Sequence, residues 1–163
     1  RKGLKPCHRP IVAAVAEVPL IAHFWLRPGN TACVSGAHDF LGDTLARLPE
    51  HVRIGLVRAD SGFCTHRMIE ELERRGLSYI MTTALRTAVR TLCRHDDSAW
   101  TPTEVPGLDV QEVAHEGARL IVVRQRVAER PHAGGKRLIE VPGYKFQALR
   151  TNLPVTVSAL EVW

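Results

Sequence analysis

Two apolar runs open the chain. In RPIVAAVAEVPLIAHFWLRPGN, residues 9–30, the segments 10–17 and 19–26 are apolar at almost every position. Short continuous runs of this kind, rich in Val and Ile, predict strands. Pro19 falls at the bend between them, and Arg27-Pro28-Gly29-Asn30 closes the second with a turn signal. Their lack of alternation predicts a sheet covered on both faces. SGAHDFLGDTLARLP, 35–49, changes to a helical period: Phe40, Leu41, Leu45 and Leu48 form the stripe, Ser35 is the cap, and Pro49 follows the end. HVRIGLVRAD, 51–60, predicts a strand. THRMIEELERRG, 65–76, predicts a helix capped by Thr65, with Met68, Ile69 and Leu72 facing a core and Gly76 at its end. LSYIMTTA, 77–84, predicts another strand. The order strand, strand, helix, strand, helix, strand is that of an α/β fold.

The texture changes after residue 85. LRTAVRTLCRHDD, 85–97, predicts a short helix on which Arg86, Arg90 and Arg94 fall at i, i+4 and i+8. Such a stripe is either a track for a phosphate backbone or a solvated face. Strand signals then dominate. RLIVVRQRVAER is β-branched at its centre, and Arg124 and Arg126 share a face because strand side chains alternate. PHAGGKR reads as a hairpin turn, since it lacks the spacing of a phosphate-binding loop. RLIEVPG and YKFQALRTN read as further strands. PVTVSALEVW reads as the start of a helix capped by Ser158.

The chain has 163 residues, 45% of them apolar and 24% charged, and a net charge of +5. That is the composition of a folded soluble domain, and its positive charge is mostly Arg, which suits bidentate phosphate contacts. Cys7, Cys33, Cys64 and Cys93 are widely spaced, which favours reduced thiols over a zinc ribbon. Basic Arg1, Lys2, Lys5 and Arg9 before Ile11 imitate a signal peptide, but Glu17 and Pro19 interrupt the apolar run. The stretch to Leu26 is also too short and too polar to predict a membrane helix. The missing initial Met and the abrupt end at Trp163 suggest a piece of a longer protein.

Candidate chemistry centres on VRADSGF, 57–63. A strand pattern runs into Asp60, and Ser61-Gly62 turns the chain into the next helix. Asp, Ser and Gly are ordinary turn residues, so one reading is a plain turn. The other is a carboxylate presented to a metal. Asp39 and Asp43 form a second acidic pair at i and i+4, read as a solvated helix face because nothing else converges on them. Asp96, Asp97, Glu104 and Asp109 read as loop charges, and His66 and Tyr79 as structural or solvated. A small α/β enzyme of another kind finds no support: there is no nucleophile elbow, dinucleotide loop or His-rich metal motif.

LRPGNTACVSGAHDFL, 26–41, and VRADSGFCTHRMIEELERRGLSYIM, 57–81, taken with KGLKP at 2–6 and TNLP at 151–154, resemble bacterial insertion-sequence transposases of the DDE type. The closest group carries a β-rich insertion in its catalytic domain. The resemblance implies a partial ribonuclease-H-like α/β fold, a mixed sheet with flanking helices, followed by that insertion. The implied boundaries are a catalytic core at 1–85, the insertion at 86–155 and the start of a helix at 156–163. Three acids hold divalent metal in the family. Asp60 matches the second, and the resemblance decides between its two readings. The first acid would lie on a strand before Arg1 and the third on the helix beginning near Trp163; Glu161 precedes that place and reads as surface. The implied cofactor is Mg²⁺ or Mn²⁺ in the intact parent, not held tightly by this piece. The implied partners are double-stranded DNA, at transposon ends and target, and a second copy of the parent, in the bacterial cytoplasm and away from membranes. Arg58, Arg86, Arg90, Arg94, Arg124 and Arg126 are the candidate DNA contacts. With one acid of three, the piece alone is expected neither to cut nor to join DNA. The competing expectation is a non-catalytic DNA-binding remnant.

Overall fold

The computed structural model describes residues 7–84, 97–127 and 143–163. The chain divides into two units. One holds the antiparallel hairpin β1 (His8–Val15) and β2 (Leu20–Pro28), with helices α1 (Ala37–Ala46) and α2 (His66–Arg74). The other holds a six-stranded sheet in the order β3 (Val57–Ala59), β4 (Tyr79–Thr83), β8 (Tyr144–Thr151), β7 (Ala118–Arg126), β6 (Leu108–His115), β5 (Thr101–Pro102). A short helix α3 (Ala159–Val162) ends it. Among the described residues only β3 and β4 run parallel, and the other pairings are antiparallel. This mixed α/β class is the expected one, and it is consistent with a partial ribonuclease-H-like fold.

Local rules explain most elements. In α2, Thr65 accepts the Met68 N–H at 3.3 Å as N-cap. Met68, Ile69 and Leu72 are buried. The helix stops where Gly76 takes φ 66°, a conformation that strains any residue with a Cβ. The Leu77 N–H then returns to Leu72 O and the Gly76 N–H to Glu73 O, a Schellman closure. At α3, Ser158 and Glu161 form a reciprocal capping box.

Three expectations are corrected. Gly36, at φ 72°, is the N-cap of α1 and no side chain caps it, so Ser35 does not. The Ser35 carbonyl instead accepts from Arg27, which is 8% exposed and also gathers the Ala32 and Cys33 carbonyls. The strand expected across 51–60 is confined to Val57–Ala59, because only there does β4 supply ladder partners. The hairpin, finally, is covered on one face within its unit. Ile11, His23 and Trp25 turn toward α1, where His23 stacks on Phe40 at 5.2 Å, while Val12, Phe24 and Leu26 on the other face are 49%, 60% and 62% exposed.

The large sheet carries a cluster on each face. Ile80, Leu108, Val110, Ile121, Val123 and Leu149 receive Val162 of α3 on one face. Trp100, Val113, Leu120, Val122 and Ala148 pack together on the other. The expected turn at PHAGGKR, the strand at RLIEVPG and the helix bearing Arg86, Arg90 and Arg94 lie outside the described residues.

Candidate functional site

Strand β3 sits at one end of the large sheet, and its ladder register with β4 pairs Val57 with Tyr79, Arg58 with Ile80 and Ala59 with Met81. The next residue, Asp60, leaves the strand tip exposed to solvent. Arg58, Ala59, Asp60, Ile80, Thr82 and Leu149 line an open cleft of about 330 Å³. Its floor is therefore the edge of the cluster that seats α3, since Ile80 and Leu149 belong to both. A carboxylate at a strand tip, beside a guanidinium and a threonine hydroxyl, offers oxygen ligands to a hard cation and a positive charge to a phosphate. Among the described residues, no three His, Cys, Asp or Glu side chains converge as a metal-holding group.

The other sequence candidates lie elsewhere. Strand alternation and the register put Arg124 and Arg126 on the sheet face opposite Arg58. Arg124 is held there. Its Nε donates to Asp109 at 2.7 Å, and its guanidinium lies 4.4 Å from the Trp100 ring centre and 4.9 Å from that of Tyr144. Asp109 is thus a strand residue in an ion pair, not a loop charge. Arg126 is exposed at the sheet margin, with Nη2 at 3.5 Å from the Tyr144 hydroxyl, which pushes its pKa up. Arg86, Arg90 and Arg94 lie outside the described residues. His66 is exposed and pairs with Glu70, while Tyr79 is buried at the start of β4. Glu161 spends its carboxylate on the Ser158 backbone and hydroxyl, which lowers its pKa.

Two acids, Asp43 and Glu71, are anchors in the hairpin unit. Asp43 accepts from Trp25 Nε1 at 3.0 Å, lies 2.8 Å from His23 Nε2, and pairs with Arg47 at 3.1 Å. These bonds, Trp25 first and His23 next, hold its pKa below the usual range. It docks α1 on the hairpin, so the acidic face expected at Asp39 and Asp43 is solvated at Asp39 alone. Glu71, buried, is gripped by Arg74 and then Arg75, which bring its pKa to about 2. His38 Nε2 also stands 3.3 Å from it.

A third network was missed. Arg119 lies among the apolar positions of β7, on the face of Ile121 and Val123, and its side chain is 11% exposed. Its position was a usable signal: an arginine at core-facing parity in a strand needs buried partners. It grips Glu112 with two bonds at 3.0 and 2.7 Å and the carbonyls of Leu153, Pro154 and Val157 with three more. The pair lowers the Glu112 pKa.

A family model described as a transposase DDE domain matches residues 9–153. Comparison with curated proteins finds no match.

Proposed function

Because the chain belongs to the transposase DDE-domain family, we propose that Asp60 is a catalytic, metal-binding acid of a centre that cleaves and transfers DNA strands. The observation that carries this reading is the shared floor: the cleft of Asp60 is lined by Ile80 and Leu149, two members of the cluster that also takes in Val162 of α3. A helix after the β-rich segment, laid on the face where a strand-tip aspartate emerges, is where a further acid could meet it. In this reading residues 1–85 belong to the catalytic core, 86–155 to the insertion and 156–163 to the start of the next helix.

The fit to metal is partial. Mg²⁺ takes oxygen ligands and keeps several waters, so one carboxylate can anchor one ion. A pair of ions needs more acids than the described residues bring to this cleft. In a complete centre the ions would activate the attacking oxygen and stabilise the leaving one. What this chain supplies is one anchoring carboxylate and, through Arg58, a cation at the cleft wall for the phosphate of duplex DNA. Arg124 and Arg126 add positive charge on the opposite face of the sheet, away from this cleft. The chain by itself neither cuts nor joins DNA, and binds Mg²⁺ or Mn²⁺ weakly. The parent acts in the bacterial cytoplasm as a homodimer on transposon ends and target DNA.

Mn²⁺ titration of the isotope-labelled protein tests the assignment. Paramagnetic broadening centred on the amides of Asp60, Ser61 and Gly62 is expected, and Asp60→Asn should remove it. Equal broadening in that variant, or none at high Mn²⁺, would sink the role of Asp60. The second reading, a non-catalytic DNA-binding remnant, is favoured by the lack of a three-acid cluster among the described residues. It predicts duplex binding that weakens with salt and ignores both Mn²⁺ and Asp60→Asn.

A further inference from the structure

We infer that Arg119 is a positioning residue for the Asp60 cleft, acting through the 151–158 segment; the inference rests on the reading of Asp60 as a metal-binding acid. The argument begins with the donors. A guanidinium has five N–H groups, and all are used: Nε and Nη2 on Glu112, Nη1 on the Leu153 and Pro154 carbonyls, and the second Nη2 hydrogen on Val157 O at 2.7 Å. Three carbonyls of one short segment are thereby tied to the β6–β7 hairpin. That segment enters α3 at once through the Ser158 capping box, and Leu153, Val157 and Ala159 pack beside Val162 on the cleft-side cluster.

The same segment also holds the strand of Asp60. Thr151 stands directly opposite Arg119 in the β7–β8 ladder. Its Oγ1 accepts the Leu153 N–H at 3.1 Å and donates to Tyr79 O at 2.7 Å. Asn152 Oδ1 accepts the Tyr79 N–H at 2.8 Å. Two side chains therefore bond the backbone N–H and carbonyl of the residue that opens β4. Tyr79 pairs with Val57, and among the described residues β4 is the strand that β3 pairs with. From Arg119 to Asp60 the path is Leu153, Thr151–Asn152, Tyr79, then β3, each step a hydrogen bond or ladder pair. Arg119 thus fixes both the start of α3 and the register of the strand that carries Asp60. Lysine cannot substitute, because its three donors on a flexible stem cannot span a carboxylate and three carbonyls.

Amide hydrogen exchange on the full chain, residue by residue, tests this. Arg119→Lys should speed exchange at Leu153, Tyr79 and Val57 by about tenfold, the scale of a lost charge-assisted bond. Val110 and Val123, in the middle of the sheet, should stay unchanged, and the Mn²⁺ broadening at Asp60 should weaken. Asn152→Ala breaks the path one link on and leaves the Glu112 pair intact. It should loosen Tyr79 and Val57 but not Val157. Loosening confined to residues 153–157 in Arg119→Lys would overturn the inference. So would equal acceleration at every strand, which would mark Arg119 as a general stabiliser. If the unaltered protein shows no Mn²⁺ broadening, the metal reading of Asp60 fails and takes the cleft role with it, while the exchange pattern still decides whether Arg119 sets the strand.

Discussion

Thr151→Val isolates one hydroxyl at the junction between β4 and β8. Thr151 is 2% exposed, and its Oγ1 makes two hydrogen bonds, to Tyr79 O and from Leu153 N. Valine keeps the shape and removes both. Leaving a buried backbone group without its partner costs about 1–3 kcal/mol. Leu153 is only half-buried, so water can repair part of its loss. The added methyl returns less than about 1 kcal/mol of burial. The net expectation is a loss of about 2 kcal/mol, and with a urea slope of about 2 kcal/mol per molar that is a midpoint drop of about 1 M. Equilibrium urea unfolding followed by tryptophan fluorescence measures it, since Trp100 and Trp163 lie in the same unit as Thr151. Thr151→Ser is the control: it keeps the hydroxyl and loses only the methyl. If the valine variant is as stable as the unaltered protein while the serine variant is weaker, the methyl and not the hydroxyl secures the junction, and the reasoning fails.

Acid should weaken the hairpin unit through Glu71 and Asp43. Glu71, at about 2 against an ordinary 4.5, and Asp43, lowered from 3.8, both have folded pKa values below their unfolded ones. Their contribution is therefore complete above pH 4.5 and lost as pH falls toward 2. Trp25 fluorescence, read in Trp100→Phe/Trp163→Phe protein, should change across that window and stay flat from neutral pH down to it; a flat signal to pH 2 would refute the assignment. Ile121, fully buried at the sheet centre, should cost about 2–5 kcal/mol as Ile121→Ala by urea unfolding, whereas exposed Val12→Ala should stay within about 0.5 kcal/mol. The apolar hairpin face predicts self-association of the isolated chain, relieved by Phe24→Thr with Leu26→Thr on size-exclusion chromatography; a monomeric, unaltered chain at high concentration would count against it.

The elements read most securely from sequence were those governed by neighbours in the chain. Thr65 and Gly76 bound α2 as expected, and Ser158 starts α3, because caps are satisfied within a turn of the residue that makes them. The stretch RLIVVRQRVAER, β-branched at its centre, supplied β7 up to Arg126, and YKFQALRTN supplied β8 up to Thr151. Ser35 failed because a remote side chain, Arg27, reorganised the turn before α1. The length of β3 failed because a strand extends only as far as its partner does. The full coverage expected of the hairpin failed because an apolar run fixes what a strand can bury, not what the fold places against it.

Asp60 stood out as a candidate because its signal is contiguous: a strand, an acid and a glycine turn in one stretch of sequence. Its cleft was not legible, since Ile80, Thr82 and Leu149 reach it from two other strands. Arg119, Glu112, Thr151 and Asn152 lay in plain view without any spacing that joins them, because antiparallel pairing brings together residues whose separation depends on loop lengths. By itself the sequence determined the α/β class, both ends of α2, the start of α3, the family and a strand that runs into Asp60, all of which rest on interactions within a few residues or on matched motifs. The tertiary structure alone decided which charges are anchors and which face solvent. Asp43, Asp109 and Arg119 took their roles from partners as far as 38 positions away, and burial makes such partners obligatory for a charge.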